Sequence, residues 1–184
     1  MLADLVNHCP LLPKDSKFLI MGCGFSGQRI RAVARAQGIK VLSSRRSQEK
    51  SFADFVFDSA SEQLPSRKVL KNVTHFISCI PPSPNGNDPV LKHFKNELEE
   101  MSELQWVGYL STTGVYGDYK GEWVKESDNP HPKQLRSKRR LACEKEWENT
   151  GLPLQILRLP GIYGPGRSAI ETIQSGKAKM IDKP

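Results

Sequence analysis

Lys17-Phe18-Leu19-Ile20-Met21-Gly22-Cys23-Gly24-Phe25-Ser26-Gly27 is the stretch on which the fold turns. A short apolar run ends in glycines spaced G-x-G-x-x-G, and Gln28 to Gln37 follows with Ile30, Val33 and Ala34 on one helical face. That order predicts a strand, a tight turn and a helix. Gly38 closes the helix, and Ile39-Lys40-Val41-Leu42 restarts an extended, β-branched run. The unit is βαβ, of about thirty residues. Glycines are common in turns, so the spacing alone says little; in this setting each glycine has a task. Gly22 permits the sharp turn, Gly24 lets the backbone approach a pyrophosphate, and Gly27 allows the helix to pack on the strand. With Phe25 and Ser26 they make an expected dinucleotide site, because the helix start offers free N–H groups and a partial positive charge to phosphates.

Further strands are predicted at Phe52 to Phe57, Asn72 to Cys79, Gln105 to Leu110 and Leu154 to Leu159. The clearest helices between them are Pro89 to Met101, with Val90, Leu91, Phe94 and Leu98 on one face, and Gln134 to Thr150. Alternation of this kind predicts an α/β fold: a Rossmann-type, doubly wound parallel sheet in three layers. Breaker-rich loops fall at Pro81 to Asn87 and at Asp128 to Pro132, where ligands are usually met. The organisation reads as an N-terminal lead-in, 1–16, and one coenzyme-binding domain, 17–184.

The second strand decides between coenzymes. An NAD site needs a carboxylate there for the ribose hydroxyls, and Val41-Leu42-Ser43-Ser44-Arg45-Arg46 offers none. The hydroxyl of Ser44 and the guanidiniums of Arg45 and Arg46 match a 2′-phosphate in charge and in fork geometry, so NADP is expected and NAD is the second choice.

Composition narrows the remaining classes. A chain of 184 residues, 38% apolar and 26% charged, is neither disordered nor collagen-like. Cys9, Cys23, Cys79 and Cys143 form no C-x-x-C pair and have no His at metal spacing, which points to a reducing, cytoplasmic setting without a metal. Met1 to Pro13 lacks the basic start and long apolar run of a signal peptide or membrane span. The formal charge of +7 gathers at Arg29, Arg31 and Arg35, at Arg45 and Arg46, and between Lys133 and Arg140. Only the middle pair meets a ligand argument; most of the rest reads as solvated helix face. The basic helix raises RNA binding as an alternative, but Trp123 and Trp147 do not interleave with its charges, so nucleic acid is not the expected partner.

Together with the glycine turn, Ser111-Thr112-Thr113-Gly114-Val115-Tyr116-Gly117 and Arg158-Leu159-Pro160-Gly161-Ile162-Tyr163-Gly164-Pro165-Gly166 resemble the extended short-chain dehydrogenase/reductase superfamily. More narrowly, the chain is similar to the NAD-dependent epimerase/dehydratase family and its atypical members, from Phe18 to about Pro184. The resemblance implies an oxidoreductase or epimerase acting on a nucleotide-sugar-like small molecule, and a homodimer through Pro89 to Met101 and Gln134 to Thr150. By position, it places Asp58 at the adenine, Ser78, Cys79, Ile80 and Pro81 along the coenzyme, Pro160 and Ile162 past the nicotinamide, and Thr112 as the catalytic hydroxyl.

The catalytic pair departs from the family. Its enzymes carry Tyr-x-x-x-Lys on one helical face, where the ammonium lowers the phenol's pKa for proton transfer. Here either Lys138 stands for the lysine and Gln134 for the tyrosine, or Glu144 sets the register and Arg140 and Arg136 hold the two places. Neither register supplies a phenol, and Tyr116 or Tyr119 would have to stand in. A sugar dehydratase is not expected either, since Thr113 and Gly114 replace the acidic pair of that branch. The resemblance further implies a C-terminal substrate domain that the sequence does not contain, so that the chain is either a fragment or naturally short, with a half-built pocket and apolar surface exposed or covered by a partner. The alternative function, motivated by the absent tyrosine and that pocket, is a non-catalytic dinucleotide-binding sensor or scaffold.

Overall fold

The computed structural model describes residues 12–47 and 53–178. Most of the lead-in, the start of the expected third strand at Phe52, and 179–184 lie outside the described residues. Six strands, β1 (Lys17–Met21), β2 (Lys40–Arg45), β3 (Phe55–Val56), β4 (His75–Ser78), β5 (Trp106–Thr112) and β6 (Leu154–Leu159), form one sheet in the order β3-β2-β1-β4-β5-β6. Every pairing is parallel. The order reverses between β1 and β4, and that switch point opens a crevice at the strand C-termini.

The helices are α1 (Phe25–Ala36), α2 (Pro89–Glu99), α3 (Leu135–Glu148) and α4 (Ala169–Gln174). α1 covers one face of the sheet, where Ala34 packs with Phe18, Ile20, Ile39, Val41 and Ile77. α2 and α3 cover the other, bringing Val90, Phe94, Leu98 and Trp147 onto Leu19, Phe76, Val107 and Tyr109. Trp147 is wholly buried, its ring 6.0 Å from that of Phe76 and 5.7 Å from that of Tyr109.

Several boundaries differ from the sequence reading. α1 starts at Phe25 rather than Gln28, since the periodic apolar face begins one turn after the helix does. β2 runs on through Ser43, Ser44 and Arg45, because buried serines can continue a strand when their hydroxyls find partners. β3 is reduced to Phe55–Val56, and α4, capped by Ser168, was not foreseen. Tyr163, Ile170 and Ile173 around it are exposed.

The charge clusters on α1 are not plain solvated face. Asp54 accepts from the Ser43 N–H at 2.8 Å and the Ser43 hydroxyl at 2.9 Å, and pairs with Arg35 at 3.1 Å and Arg31 at 3.7 Å. One carboxylate thus ties α1, β2 and the start of β3 together. Asp54→Ala is expected to cost about 1–2 kcal/mol, read as a lower urea midpoint at unchanged slope.

Candidate coenzyme cleft

The cleft is built where β1 stops. Gly22 takes φ +90° in the turn, and a Cβ at Gly27 would stand 2.6 Å from the Gly22 carbonyl oxygen, so α1 can lie this close only without a side chain there. Gly24 is different: a Cβ on it would meet nothing within 4 Å. It faces open space at the start of α1. No side chain caps that start and no acid stands in its first turn. The Gln28 N–H makes a helical bond to the Gly24 carbonyl at 2.9 Å, so the N–H groups ahead of it are offered outward.

A crevice of about 730 Å³ opens from this turn. Its floor is Gly22, Cys23, Gly24, Cys79 and Ile80; one wall is the end of β2, with Ser44, Arg45 and Arg46, and another is Phe57-Asp58-Ser59-Ala60 after β3. The loop Pro81 to Asn87 forms the far rim, and Pro89 and Lys92 of α2 complete it. The structure therefore brings Gly22, Gly24, Ser44, Arg45, Arg46, Asp58, Cys79, Ile80 and Pro81 to one place. Ser59, Asn85 and Lys92 were not singled out from sequence. They reach the crevice by tertiary packing of a loop and a helix side, which no local spacing announces.

Within that group the roles separate. Ser44 is wholly buried, and its hydroxyl accepts from the Gly22 N–H at 3.0 Å while its carbonyl accepts from Cys23 N–H at 2.7 Å. It holds the glycine turn rather than offering its hydroxyl to a ligand. Asp58 accepts from the Ser61 hydroxyl at 2.8 Å and the Ala60 N–H at 3.1 Å. These bonds, with Arg46 adding its charge, hold its carboxyl below the ordinary aspartate value. Burial, with Cys23 adding to it, pushes the Cys79 thiol up to about 12, so it is an inert lining group at neutral pH.

Other expected residues stand apart from the crevice. Ser78 is buried, with its hydroxyl unpartnered, and does not line it. Phe25 carries the Arg29 guanidinium 3.4 Å from its ring centroid and Arg167 at 5.4 Å, and Arg29 also donates to the Pro165 carbonyl at 3.1 Å. The segment after β6 is thereby fastened to α1; within it Pro160 is exposed and Ile162 half-buried, both outside the crevice lining. The Thr112 hydroxyl accepts from the Gly114 N–H at 3.1 Å, which leaves its own O–H free to donate.

The two cations of α3 that are candidates for the lysine's place sit differently. Lys138 is exposed on α3, whereas one Nη of Arg140 donates to the Leu110 carbonyl and the Tyr109 hydroxyl at 3.0 Å and to the Ile80 carbonyl at 3.3 Å. Arg140 is the side chain that turns toward the strand ends. It braces β4 against β5. The Tyr116 hydroxyl accepts from Arg158 at 2.9 Å, and the Tyr119 hydroxyl donates to the Asn129 carbonyl at 2.6 Å. Neither phenol lines the crevice.

No family model matches the sequence, and no curated protein is significantly similar to it. Solved structures are. A conserved protein of unknown function from Silicibacter pomeroyi DSS is 32% identical over 92% of this chain and 61% of its own, with a TM-score of 0.80. A protein from Methylobacillus flagellatus, provisionally named an NAD-dependent epimerase/dehydratase, is 30% identical over 87% of this chain and 59% of its own, with a TM-score of 0.65. The chain is thus similar to structures of the NAD-dependent epimerase/dehydratase family. It spans about three-fifths of the length of these relatives. More distant members of the epimerase/dehydratase fold include UDP-glucuronic acid 4-epimerase from Bacillus cereus, solved in complex with NAD. It is 20% identical over 80% of this chain and 57% of its own, with a TM-score of 0.61. Among the described residues, no helix is long and apolar enough to cross a membrane.

Proposed function

We propose that residues 17–184 bind NADP in preference to NAD, as the coenzyme-binding domain of an oxidoreductase or epimerase for a nucleotide-sugar-like substrate. The observation that carries the preference is the pair Arg45 and Arg46 lining the crevice where β2 ends, with Asp58 as the one acid among the described residues of that lining, already engaged by Ser61 and Ala60. Two forked guanidiniums there suit a phosphate monoester. The residues present also fit the rest of the coenzyme: the open side of Gly24 and the uncapped start of α1 would hold the diphosphate. When bound, NADP supplies hydride donor and acceptor chemistry. The Bacillus cereus relative, named for a UDP-sugar epimerase and solved with NAD, supports the substrate class. Free thiols at Cys23, Cys79 and Cys143 support a cytoplasmic, reducing setting. The homodimer through α2 and α3 belongs to the same reading, and sedimentation velocity tests it.

Fluorescence titration with NADPH and NADH tests the preference. Arg45→Ala and Arg46→Ala are each expected to weaken NADPH about tenfold, the value of a charge-assisted hydrogen bond of about 1.4 kcal/mol, with NADH little changed. Equal loss for both coenzymes would remove the assignment.

A second reading has its own support. With Lys138 exposed, Arg140 bonded to strand ends, and Tyr116 and Tyr119 bonded within the protein, no phenol lines the crevice among the described residues. A coenzyme-binding sensor or scaffold without turnover accounts for that. Tight NADPH binding, with neither NADP+ reduced nor an epimerised sugar formed when the NADP+-loaded protein is incubated with UDP-sugars, favours it; either product excludes it.

A further inference from the structure

We propose that Lys92 is a specificity-determining residue of the coenzyme cleft, supplying from α2 a third cation to the phosphate on the adenosine ribose; this rests on the NADP reading above.

The start of α2 is fixed from two sides. Asp88 caps it, one carboxylate oxygen accepting from the Val90 and Leu91 N–H groups at 2.8 and 3.0 Å, the other from the Trp147 indole N–H at 3.0 Å. Val90, Leu91, Phe94 and Leu98 are buried beneath the helix, which sets its rotation. Pro89 and Lys92, three apart and so on one side of the helix, both line the crevice. The next residue, His93, places Nε2 2.9 Å from the Ser59 hydroxyl and sets its ring edge-on to Phe57 at 6.1 Å. Lys92 is thus carried by a helix side fastened to the wall Phe57 to Ala60, and it lines the same crevice as Arg45 and Arg46.

Charge makes the case for a ligand rather than a solvated lysine. Among the described residues, three cations, Arg45, Arg46 and Lys92, line the crevice against one carboxylate, Asp58. That carboxylate spends two bonds within its own loop. NADP adds a monoester of about −1.5 to −2 charge to what NAD carries, which matches the surplus. An ammonium is a compact point charge on a flexible stem, able to meet an oxygen that two planar forks leave free.

The full chain with Lys92→Gln is titrated with NADPH and with NADH beside the parent. NADPH should weaken about three- to tenfold, as for a partly exposed ion pair of about 0.7–1.4 kcal/mol, with NADH held within about twofold. Lys92→Arg should keep most of the selectivity. If the parent prefers NADPH but Lys92→Gln shifts both coenzymes equally, or neither, the assignment of Lys92 is overturned while the arginine reading stands. A parent without preference for NADPH overturns both. Because Lys92 is exposed, its replacement leaves the fold intact, and an unchanged melting temperature confirms that the titrations compare like with like.

Discussion

Gly24→Val is expected to abolish dinucleotide binding, by about a hundredfold or more, while the melting temperature stays within about 2 °C of the parent. The two effects part company because of where the new atoms go. A Cβ at Gly24 meets no protein atom within 4 Å, so the folded chain accommodates it. The same Cβ projects into the space at the start of α1 where a diphosphate would have to touch backbone N–H groups. At Gly27 the outcome reverses: the Cβ would lie 2.6 Å from a main-chain oxygen, and a valine there should lower stability as well, by about 1–3 kcal/mol. Titration of NADPH alongside thermal unfolding checks the pair. Gly24→Val that still binds NADPH at parental strength removes the glycine turn from the site.

Glu144→Ala is expected to cost about 3–5 kcal/mol, the penalty for leaving a buried charge without its partner. Glu144 on α3 is wholly buried. It accepts from the Ser111 hydroxyl on β5 and from Arg158 on β6, whose Nη2 lies 2.8 Å away. Arg158 also donates to the Tyr116 hydroxyl, so one ion pair joins α3, two strands and the turn after β5. The bond to Glu144 is the main reason the Arg158 guanidinium holds its proton even more firmly than usual. Removing the carboxylate should lower the melting temperature by roughly 6–20 °C for a chain of this size. Glu144→Ala with Arg158→Met should recover part of that loss, since the orphaned charge goes too. A single variant as stable as the parent would show that the pair contributes nothing.

Much of the fold could be read directly. Phe18 to Met21 is an unbroken apolar run, and three glycines at fixed spacing suit a turn that lets a helix close on it. The strand sequence is less complete at β3, where Phe55–Val56 is too short for any periodicity to mark its limits. Arg45 and Arg46 were legible because the second strand of such a unit always ends at the same edge of the sheet. Ser44 was legible as a neighbour of that edge but not in its role, since whether a hydroxyl faces a ligand or a backbone N–H depends on the next strand's turn. Lys138 and Arg140 were indistinguishable by sequence: both are cations on one helix, two residues apart. Only packing rotates Arg140 inward and Lys138 outward.

The chain's own residues thus determined a parallel α/β sheet and an uncapped helix start after a glycine turn, because those follow from local rules: periodicity and absent side chains. Tertiary structure alone decided which cations share a crevice and which groups the hydroxyls meet. Those facts depend on elements that come together from distant positions, as His93 meets Ser59 in the wall after β3, and hydrogen-bond partners are chosen only once they have met.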